Sequence, residues 1–313
     1  MKQLTLKWLF CAAVTLSCLL PPAARAAEPV VRVVASFSIL GDLVQAIGGE
    51  RVQVLTLVGP DADAHAFEPR PADAKTLLGA RLLVINGLQF EPWAPKLAKS
   101  AGYKGSTLVA STGIKPRTMP EAAGHQQNPQ HGGHAHDEAD PHAWQNPRNV
   151  ITYVKNITEA LSALDTQGAA YYQRQSAGYI QELEALDAFA QAQFATIASA
   201  QRRVITSHDA FGYFAARYQI QFLAPQGVTP EGEPSAKAVA QLIRQIKKDK
   251  IRAVFVENMR NPQLLAQIAR DTGVTLGPKL YVDALSAPNE PGASYLSMMR
   301  HNVAQLAAGM RLN

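Results

Sequence analysis

Two rhythms of hydrophobic and polar positions alternate along this chain of 313 residues. Short runs rich in β-branched residues, typical of buried strands, lie between segments whose apolar residues recur three or four apart, as on a helix. Strands that alternate with helices indicate βα units and a mostly parallel sheet. The predicted strands cover residues 31–37, 52–58, 82–86 and 107–110 in the first half, and 203–206, 221–224, 253–257 and 280–283 in the second.

A long segment between the two halves has the pattern of one amphipathic helix. Residues 167–198 contain no proline, and a helix of this length would extend for about 45 Å. Further helices are predicted from Pro147 onwards and over residues 235–248, 262–272 and 295–312. The apolar positions of the long helix are Tyr172, Tyr179, Leu183, Leu186, Ala190 and Ile197.

These patterns predict an α/β protein with two lobes joined by a long helix. We expect an N-terminal lobe over residues 27–150, helices including the connector over 151–200, and a C-terminal lobe over 201–313. Clefts between such lobes are common ligand sites.

The first residues predict a signal peptide over residues 1–26. Two lysines precede an apolar run over residues 8–20, and Ala24-Arg25-Ala26 supplies the small residues at a cleavage site. A retained membrane anchor is the alternative, but about 13 apolar residues fall short of the roughly 20 that span a bilayer. Lipid attachment is disfavoured because Cys18 follows Thr15-Leu16-Ser17 and apolar residues continue past it.

Cleavage would change both the cysteine content and the charge. Both cysteines, Cys11 and Cys18, lie in the predicted signal peptide, so we expect a mature protein without thiol or disulfide. Subtracting the three cations Lys2, Lys7 and Arg25 from the formal charge of +5 leaves +2. The basic character of the whole sequence is therefore no evidence for a nucleic-acid partner.

Four potential metal ligands lie just beyond predicted strands or in the loop between lobes: His65, His142, His208 and Asp283. The carboxyl ends of strands line the binding crevice of open α/β sheets. Three imidazoles and one carboxylate would complete a zinc tetrahedron without an open position, which favours binding over catalysis. Taken singly, each histidine is more often structural, and Asp283 could merely cap a turn.

Five short sequence motifs, most of them around the four candidate ligands, resemble one family in their residues and in their order along the chain. They are HAFEP at residues 65–69, NGLQFEPW at 86–93, DPHAW at 140–144, SHDAF at 207–211 and YVDAL at 281–285. They are similar to the zinc and manganese solute-binding receptors of ABC importers, the group with a rigid inter-lobe helix. The resemblance implies two pseudo-symmetric lobes with one metal buried between them, held by His65 and His142 from the first lobe and by His208 and Asp283 from the second.

The resemblance also bears on the metal and the partners. In this family the third ligand is often glutamate in manganese receptors and histidine in zinc receptors, so His208 favours Zn²⁺, with Mn²⁺ as the alternative. Imidazole donors point the same way, since manganese prefers oxygen-rich coordination. The family further implies a monomer in the periplasm that is not an enzyme and that delivers its ion to a cognate ABC permease in the inner membrane.

Two other groups of residues are candidates for metal-related roles. The stretch 124–142 has no apolar periodicity and predicts a mobile surface loop, whose histidines His125, His131, His134 and His136 could give weaker auxiliary metal contacts. Five carboxylates could accept the free ring N–H of a ligating histidine, or else cap helices or face solvent: Asp63, Glu68, Asp140, Asp209 and Glu257. We interpret His301 as a packing residue.

Two rival functions fit the sequence less well. A secreted zinc hydrolase with Glu68 as general base would need an open coordination position, and the chain has no HExxH word. A receptor for an organic solute would normally offer aromatic platforms, but only 7% of residues are aromatic.

Overall fold

The computed structural model describes residues 30–118, 139–225, 227 and 235–313, which form two parallel sheets surrounded by helices. The strands are β1 Val31–Phe37, β2 Val52–Val58, β3 Leu82–Ile85, β4 Ser106–Val109, β5 Arg203–Ile205, β6 Gln221–Leu223, β7 Val254–Glu257 and β8 Leu276–Leu280. The helices are α1 Ser38–Gly48, α2 Pro71–Leu78, α3 Trp93–Ala101, α4 Pro147–Leu164, α5 Ala169–Ala195, α6 Gly212–Tyr218, α7 Ala236–Asp249, α8 Gln263–Thr272 and α9 Tyr295–Met310.

The two sheets have the same topology. Lobe 1 is built on the strand order β2-β1-β3-β4 and lobe 2 on β6-β5-β7-β8, and all these strand pairs are parallel. In each lobe the first strand therefore lies between the second and the third. This repetition confirms the prediction of an α/β fold with two pseudo-symmetric lobes.

The connector is α5, a helix of 27 residues and about 40 Å. Its buried face includes Tyr172, Leu183 and Leu186, as the apolar spacing predicts. The helix ends at Ala195, earlier than the sequence pattern suggests, and the buried Ile197 lies beyond it in the turn that leads to β5. One continuous helix thus joins the lobes.

The main hydrophobic core crosses from one lobe to the other. It includes Leu83 of β3, Leu183 of α5, Phe214 of α6 and Met299 of α9, all 0% exposed. Burying one such side chain stabilises the fold by roughly 1.5 to 3 kcal/mol. A second, smaller core in lobe 2, around Leu242 and Ile268, packs α7 and α8 against the sheet. A shared core restrains the lobes from moving freely against each other.

The last strand differs from its prediction. The pattern predicts a strand over residues 280–283, but β8 is Leu276–Leu280 and Asp283 lies in the loop that follows. The sequence pattern did not indicate a strand here because Gly277 and Pro278 lie inside it. Since β8 is an edge strand, the missing N–H of Pro278 is tolerated there. The glycine is needed because a Cβ at this position would lie 2.4 Å from the ring of Phe255.

Several sequence predictions concern residues outside the described ranges. These are the signal peptide over residues 1–26, the loop histidines His125, His131, His134 and His136, and most of the loop itself, all of which stay predictions. The boundaries assigned to the lobes stay predictions too. Among the described residues, no helix is both long enough and apolar enough to cross a membrane.

Candidate metal centre

The four candidate ligands converge between the lobes. Their ligand atoms all lie within 4.8 Å of one another. Asp283 is at the centre of the group. Its Oδ2 lies 3.4 Å from His65 Nε2 and 3.1 Å from His208 Nε2, and its Oδ1 lies 3.5 Å from His142 Nε2. A tetrahedron with metal–ligand bonds of about 2.0 to 2.1 Å has edges of about 3.3 Å. The group therefore has the size of a tetrahedral metal shell.

Burial sets this group apart from ordinary surface residues. His142, His208 and Asp283 are 0% exposed, and the His65 side chain is 5% exposed. His208 Nε2 and both carboxylate oxygens of Asp283 have no hydrogen-bond partner. Buried polar atoms without partners are rare and costly, and a bound cation would satisfy all three.

His142 lies in the segment between β4 and α4, where Asp140 fixes its ring. Asp140 Oδ1 accepts hydrogen bonds from the backbone N–H of His142, at 3.0 Å, and from its Nδ1, at 2.9 Å. Because Nδ1 is occupied in this way, Nε2 is the nitrogen that faces the other ligands. Asp140 is itself 0% exposed.

His208 follows β5 and is oriented by Glu257 at the end of β7. Glu257 Oε2 accepts from His208 Nδ1, while Oε1 accepts the backbone N–H groups of Ser207 and His208. Glu257 is 2% exposed. Both lobes thus use the same device, a buried carboxylate that fixes the tautomer of a candidate ligand.

His65 lies in the loop between β2 and α2 and is held by its backbone and by an aromatic neighbour. Its N–H donates to Asp63 Oδ1 at 2.8 Å, and Trp93 Nε1 donates to the carbonyl of Ala64 at 2.8 Å. The ring of Phe90 packs edge-on against the imidazole at 4.5 Å between centroids. Within the described part of the chain, no carboxylate accepts from His65 Nδ1 in the way that Asp140 and Glu257 accept from the Nδ1 atoms of the other two rings.

A buried carboxylate, Glu91, holds the turn at residues 86–91 that contacts the DPHAW segment. Glu91 accepts hydrogen bonds from Ser36 Oγ and from the backbone N–H groups of Asn86 and Gly87, and burial raises the pKa of Glu91 to about 7. Asn86 Nδ2 in turn donates to the carbonyl of Pro141 at 3.0 Å, next to His142. The NGLQFEPW motif therefore forms a turn that positions candidate ligands without contributing one. In the sequence this motif carries part of the family resemblance but no predicted role of its own.

The charges within the site are strongly coupled. Burial lowers the pKa of His142, but the carboxylates of Asp283 and Asp140 outweigh it and raise the value to about 9. Burial likewise lowers the pKa of His208, while Glu257 and Asp283 raise it to about 10. Burial would raise the pKa of Asp283, yet His142 and His208 hold it well below its usual value. Without metal, Asp283 and the two imidazoles therefore stabilise one another's charged forms.

Behind the ligands, the lobes are joined by a set of buried hydrogen bonds that we call the buried seam. The carbonyl of Val282 accepts from Trp144 Nε1 at 3.0 Å and from Gln145 Nε2 at 2.9 Å. Tyr295 Oη donates to the carbonyl of Trp144 at 2.8 Å, and the N–H of Leu285 donates to Ser38 Oγ at 3.0 Å. The seam fixes the Asp283 loop against the His142 segment. Its residues are Ser38, Trp144, Gln145, Val282, Leu285 and Tyr295.

The remaining candidates lie apart from the four-residue group. Glu68 is exposed, and the group of four candidate ligands does not include it. For Asp209, burial raises the pKa and the nearby Asp140 raises it further, whereas His142 and His208 lower it. His301 Nε2 contacts the carbonyl of Lys279 at 2.9 Å and its ring packs on Tyr281, which agrees with a packing role.

Comparison with known proteins gives this site its family context. The family model described as zinc-uptake complex component A, periplasmic, matches residues 33–309, nearly all of the described chain. The chain belongs to this family. Its members are receptors of ABC importers, so the prediction of a receptor rather than an enzyme is confirmed. The protein is the substrate-binding component of a metal ABC transporter, with a permease and a metal ion as its partners.

Three relatives show how widely the family's metals vary. The chain is 27% identical over 301 residues to the manganese ABC transporter substrate-binding lipoprotein PsaA of Streptococcus pneumoniae, covering 94% of each chain. It is 32% identical over 280 residues to the iron-binding protein YfeA of Yersinia pestis, covering 89% of this chain and 86% of YfeA. The solved structure of the periplasmic zinc binding protein TroA from Treponema pallidum superposes with a TM-score of 0.79 at 25% identity, covering 90% of this chain and 99% of TroA.

Proposed function

We propose that the protein captures Zn²⁺ through His65, His142, His208 and Asp283 and delivers it to its permease. The observation that carries the proposal is the donor set: three imidazole nitrogens and one carboxylate oxygen within 4.8 Å of one another and almost fully buried. Zinc accepts several imidazoles readily, whereas manganese prefers oxygen-rich coordination. A closed shell of four protein ligands binds an ion and leaves no position for catalysis.

Mn²⁺ is the second candidate, because PsaA is named for manganese. Competition in vitro cannot decide alone, since zinc outranks manganese at most sites whatever their biological role. The ligand at position 208 offers a sharper criterion. His208 supplies a nitrogen where a glutamate would supply oxygen.

The deciding experiment measures the metal carried by the protein when it is isolated from bacteria that export it and are supplied with both ions. We expect one zinc per chain and little manganese. The variant His208→Glu, measured in parallel, should lower the ratio of zinc to manganese affinity. Wild-type protein loaded mainly with manganese would overturn the choice of zinc while leaving the four ligands in place.

The proposed location is the periplasm. The predicted signal peptide over residues 1–26 supports it, as does the description of the matching family as periplasmic. Since neutral imidazole is the ligand, zinc capture there releases protons and weakens as the surroundings become acidic. Cell fractionation with an antibody against the mature chain tests the location.

A further inference from the structure

The lobes meet a second time in front of the ligands, at a partly exposed contact that we call the mouth. Here a turn of lobe 2, just after β7, contacts the lobe 1 loop that carries His65. Asn258 Nδ2 donates to Asp61 Oδ1 at 2.8 Å, and Arg260 Nη1 donates to Asp63 Oδ2 at 2.7 Å. The side chains of Arg260 and Asp63 are 12% and 20% exposed. The mouth consists of Asp61, Asp63, Asn258 and Arg260.

Arg260 contacts the carboxylates that position a ligand in each lobe. Asp63, its partner in lobe 1, also accepts the backbone N–H of His65. On the other side, Arg260 Nε lies 4.0 Å from Glu257 Oε2, the oxygen that accepts from His208 Nδ1. One guanidinium therefore couples the His65 loop to the support of His208, across a sequence separation of 197 residues.

The hydrogen bonding of Arg260 is incomplete. Its Nε and Nη2 are buried but have no hydrogen-bond partner, so a single N–H···O bond joins it to Asp63. A bidentate arginine–carboxylate pair would be stronger and more rigid. The side chains of the pair keep 12% and 20% of their surface exposed, so water can enter when they part. The residues of the buried seam are at most 6% exposed, so the contact at the mouth opens at a lower cost in lost hydration than the seam.

We propose that the Arg260–Asp63 ion pair is the latch that sets how fast the metal leaves the site. His65 is the one ligand of the four with exposed surface, and the latch holds its loop closed. When the pair opens, the His65 loop moves away and the ion is left on His142, His208 and Asp283. Arg260 is a positioning residue in this scheme, and the inference rests on the proposed binding of zinc by the four ligands.

The test compares the rate at which bound zinc is lost to excess chelator in stopped-flow experiments. Arg260→Ala should accelerate this loss by about 10-fold or more, the lower end of what mutation of outer-shell metal-site residues typically costs. The matched control is Arg270→Ala, which removes an exposed arginine of α8 in the same lobe. The control should stay within about two-fold of wild type, because surface substitutions away from special contacts have small effects.

A second variant isolates the ion pair from the fold. Asp63→Asn removes the charge, yet its Oδ1 can still accept the His65 N–H. It should accelerate zinc loss as Arg260→Ala does, and the double variant should be no faster than either single one, since both remove one interaction. Thermal unfolding of the metal-free variants separates kinetics from stability. If Arg260→Ala fails to fold, Asp63→Asn and Arg260→Lys carry the test, with Arg260→Lys expected between wild type and Asp63→Asn.

The outcomes are distinguishable from failure of the proposed function. If wild-type protein binds no zinc, or if His142→Ala keeps full affinity, the four-ligand assignment is wrong. If His142→Ala abolishes tight binding but Asp63→Asn and the folded Arg260 variant lose zinc at the wild-type rate, the latch is wrong and the ligands stand. Additive acceleration in the double variant would likewise overturn the latch.

Discussion

The buried seam and the mouth join the same two lobes but differ in character. The seam uses neutral hydrogen bonds between fully buried groups, such as those from Trp144 and Gln145 to the carbonyl of Val282. The mouth uses charged side chains near solvent, such as Arg260 and Asp63. A neutral hydrogen bond in the buried seam resists opening, because no water can replace the lost partner. The partly exposed charges at the mouth can be hydrated when the ion pair separates.

This difference divides the four proposed ligands into two classes. His142, His208 and Asp283 lie on the seam side, fully buried and with the two imidazoles fixed by Asp140 and Glu257. His65 lies on the mouth side and is fixed through its backbone. Three ligands are therefore preorganised relative to one another, and the fourth completes the shell when the mouth closes. Since α5 is continuous and the core is shared, we expect the ion to exchange through loop movement at the mouth rather than through wide opening of the lobes.

The largest expected effect tests the two classes directly. A structural zinc site is worth about 10 to 16 kcal/mol over four ligands, so losing one ligand should weaken binding by about 100-fold to 1,000-fold. His208→Ala should lie at the upper end, and His65→Ala at the lower end, because a movable ligand contributes less. Competition titration against a chromophoric chelator measures both. A larger loss for His65→Ala would break the comparison.

The next effect concerns the carboxylates that orient the seam-side rings. Glu257→Gln keeps only one of the two carboxylate oxygens, and the backbone N–H groups of Ser207 and His208 need it as their acceptor. The amide NH2 is then left against His208 Nδ1, which accepts a hydrogen bond instead of donating one. The ring proton would move to Nε2 and block the metal-binding nitrogen, so zinc affinity should fall by about 10-fold to 100-fold. The same titration gives the answer. Glu68→Gln, which changes an exposed carboxylate close to His65 in sequence, is the control and should leave the affinity unchanged.

All four candidate ligands could be identified from the sequence, whereas one strand beside them could not. The words around His65, His142, His208 and Asp283 predicted the residues that meet, since each carries metal-ligand chemistry in a distinctive local pattern. Strands β1 and β2 were predicted with their observed bounds because β-branched runs are strong local signals. The edge position that tolerates Pro278 in β8 is a property of tertiary order, so no local pattern could reveal it.

The mouth was invisible for a related reason. Arg260 is a lone arginine in a turn, and its meaning depends on Asp63, which lies 197 residues earlier in the chain. The sequence did not predict the role of Glu91 either, because an isolated glutamate in a polar turn is normally exposed. Only the fold shows that Glu91 is 3% exposed. Sequence patterns therefore located the residues that converge between the lobes, while the groups that position them and connect the lobes required the structure.

A third effect lies at the far end of the seam, where Asp42 of α1 accepts the N–H of Tyr295 at the start of α9. Burial raises the pKa of Asp42 from 3.8 to about 6, although the hydrogen bond from Tyr295 lowers it. The folded state therefore binds more protons than the unfolded chain between pH 4 and 6. This means that the contribution of Asp42 to stability falls as the pH rises through that range.

Asp42→Asn should remove the loss of stability that ionisation of Asp42 causes, while the Asn side chain still accepts the Tyr295 N–H. We expect the metal-free variant to be more stable than wild type at pH 7.5 by about 1 to 2 kcal/mol, with the difference shrinking towards pH 4. Urea unfolding at a series of pH values measures it. Asp271→Asn, which changes an exposed residue of α8, should show no such trend. A destabilised Asp42→Asn at pH 7.5 would mean that the charge of Asp42 strengthens the contact between α1 and α9.

The smallest expected effect on affinity concerns the histidine-rich stretch, whose ends lie close to the seam side of the site. Thr118 and Ala139 form an antiparallel bridge, and the N–H of Asp140 donates to the carbonyl of Arg117 at 2.9 Å, two residues before His142. The two ends of the stretch are thus fixed beside His142, and we expect ions bound to His125, His131, His134 and His136 to be at high effective concentration near the cleft. They are not needed to complete the four-ligand shell.

Deleting residues 124–138 spares the bridge, Asp140 and His142, so the tight site should keep its affinity within about two-fold, as expected for changes that leave the ligands and their supports in place. The deletion should remove weaker additional zinc binding and slow capture when zinc is scarce, which calorimetry and stopped-flow mixing can measure. If the tight site disappears with the stretch, its histidines belong to the shell and the preorganised set of three is wrong. If neither stoichiometry nor capture rate changes, these histidines have no part in metal uptake.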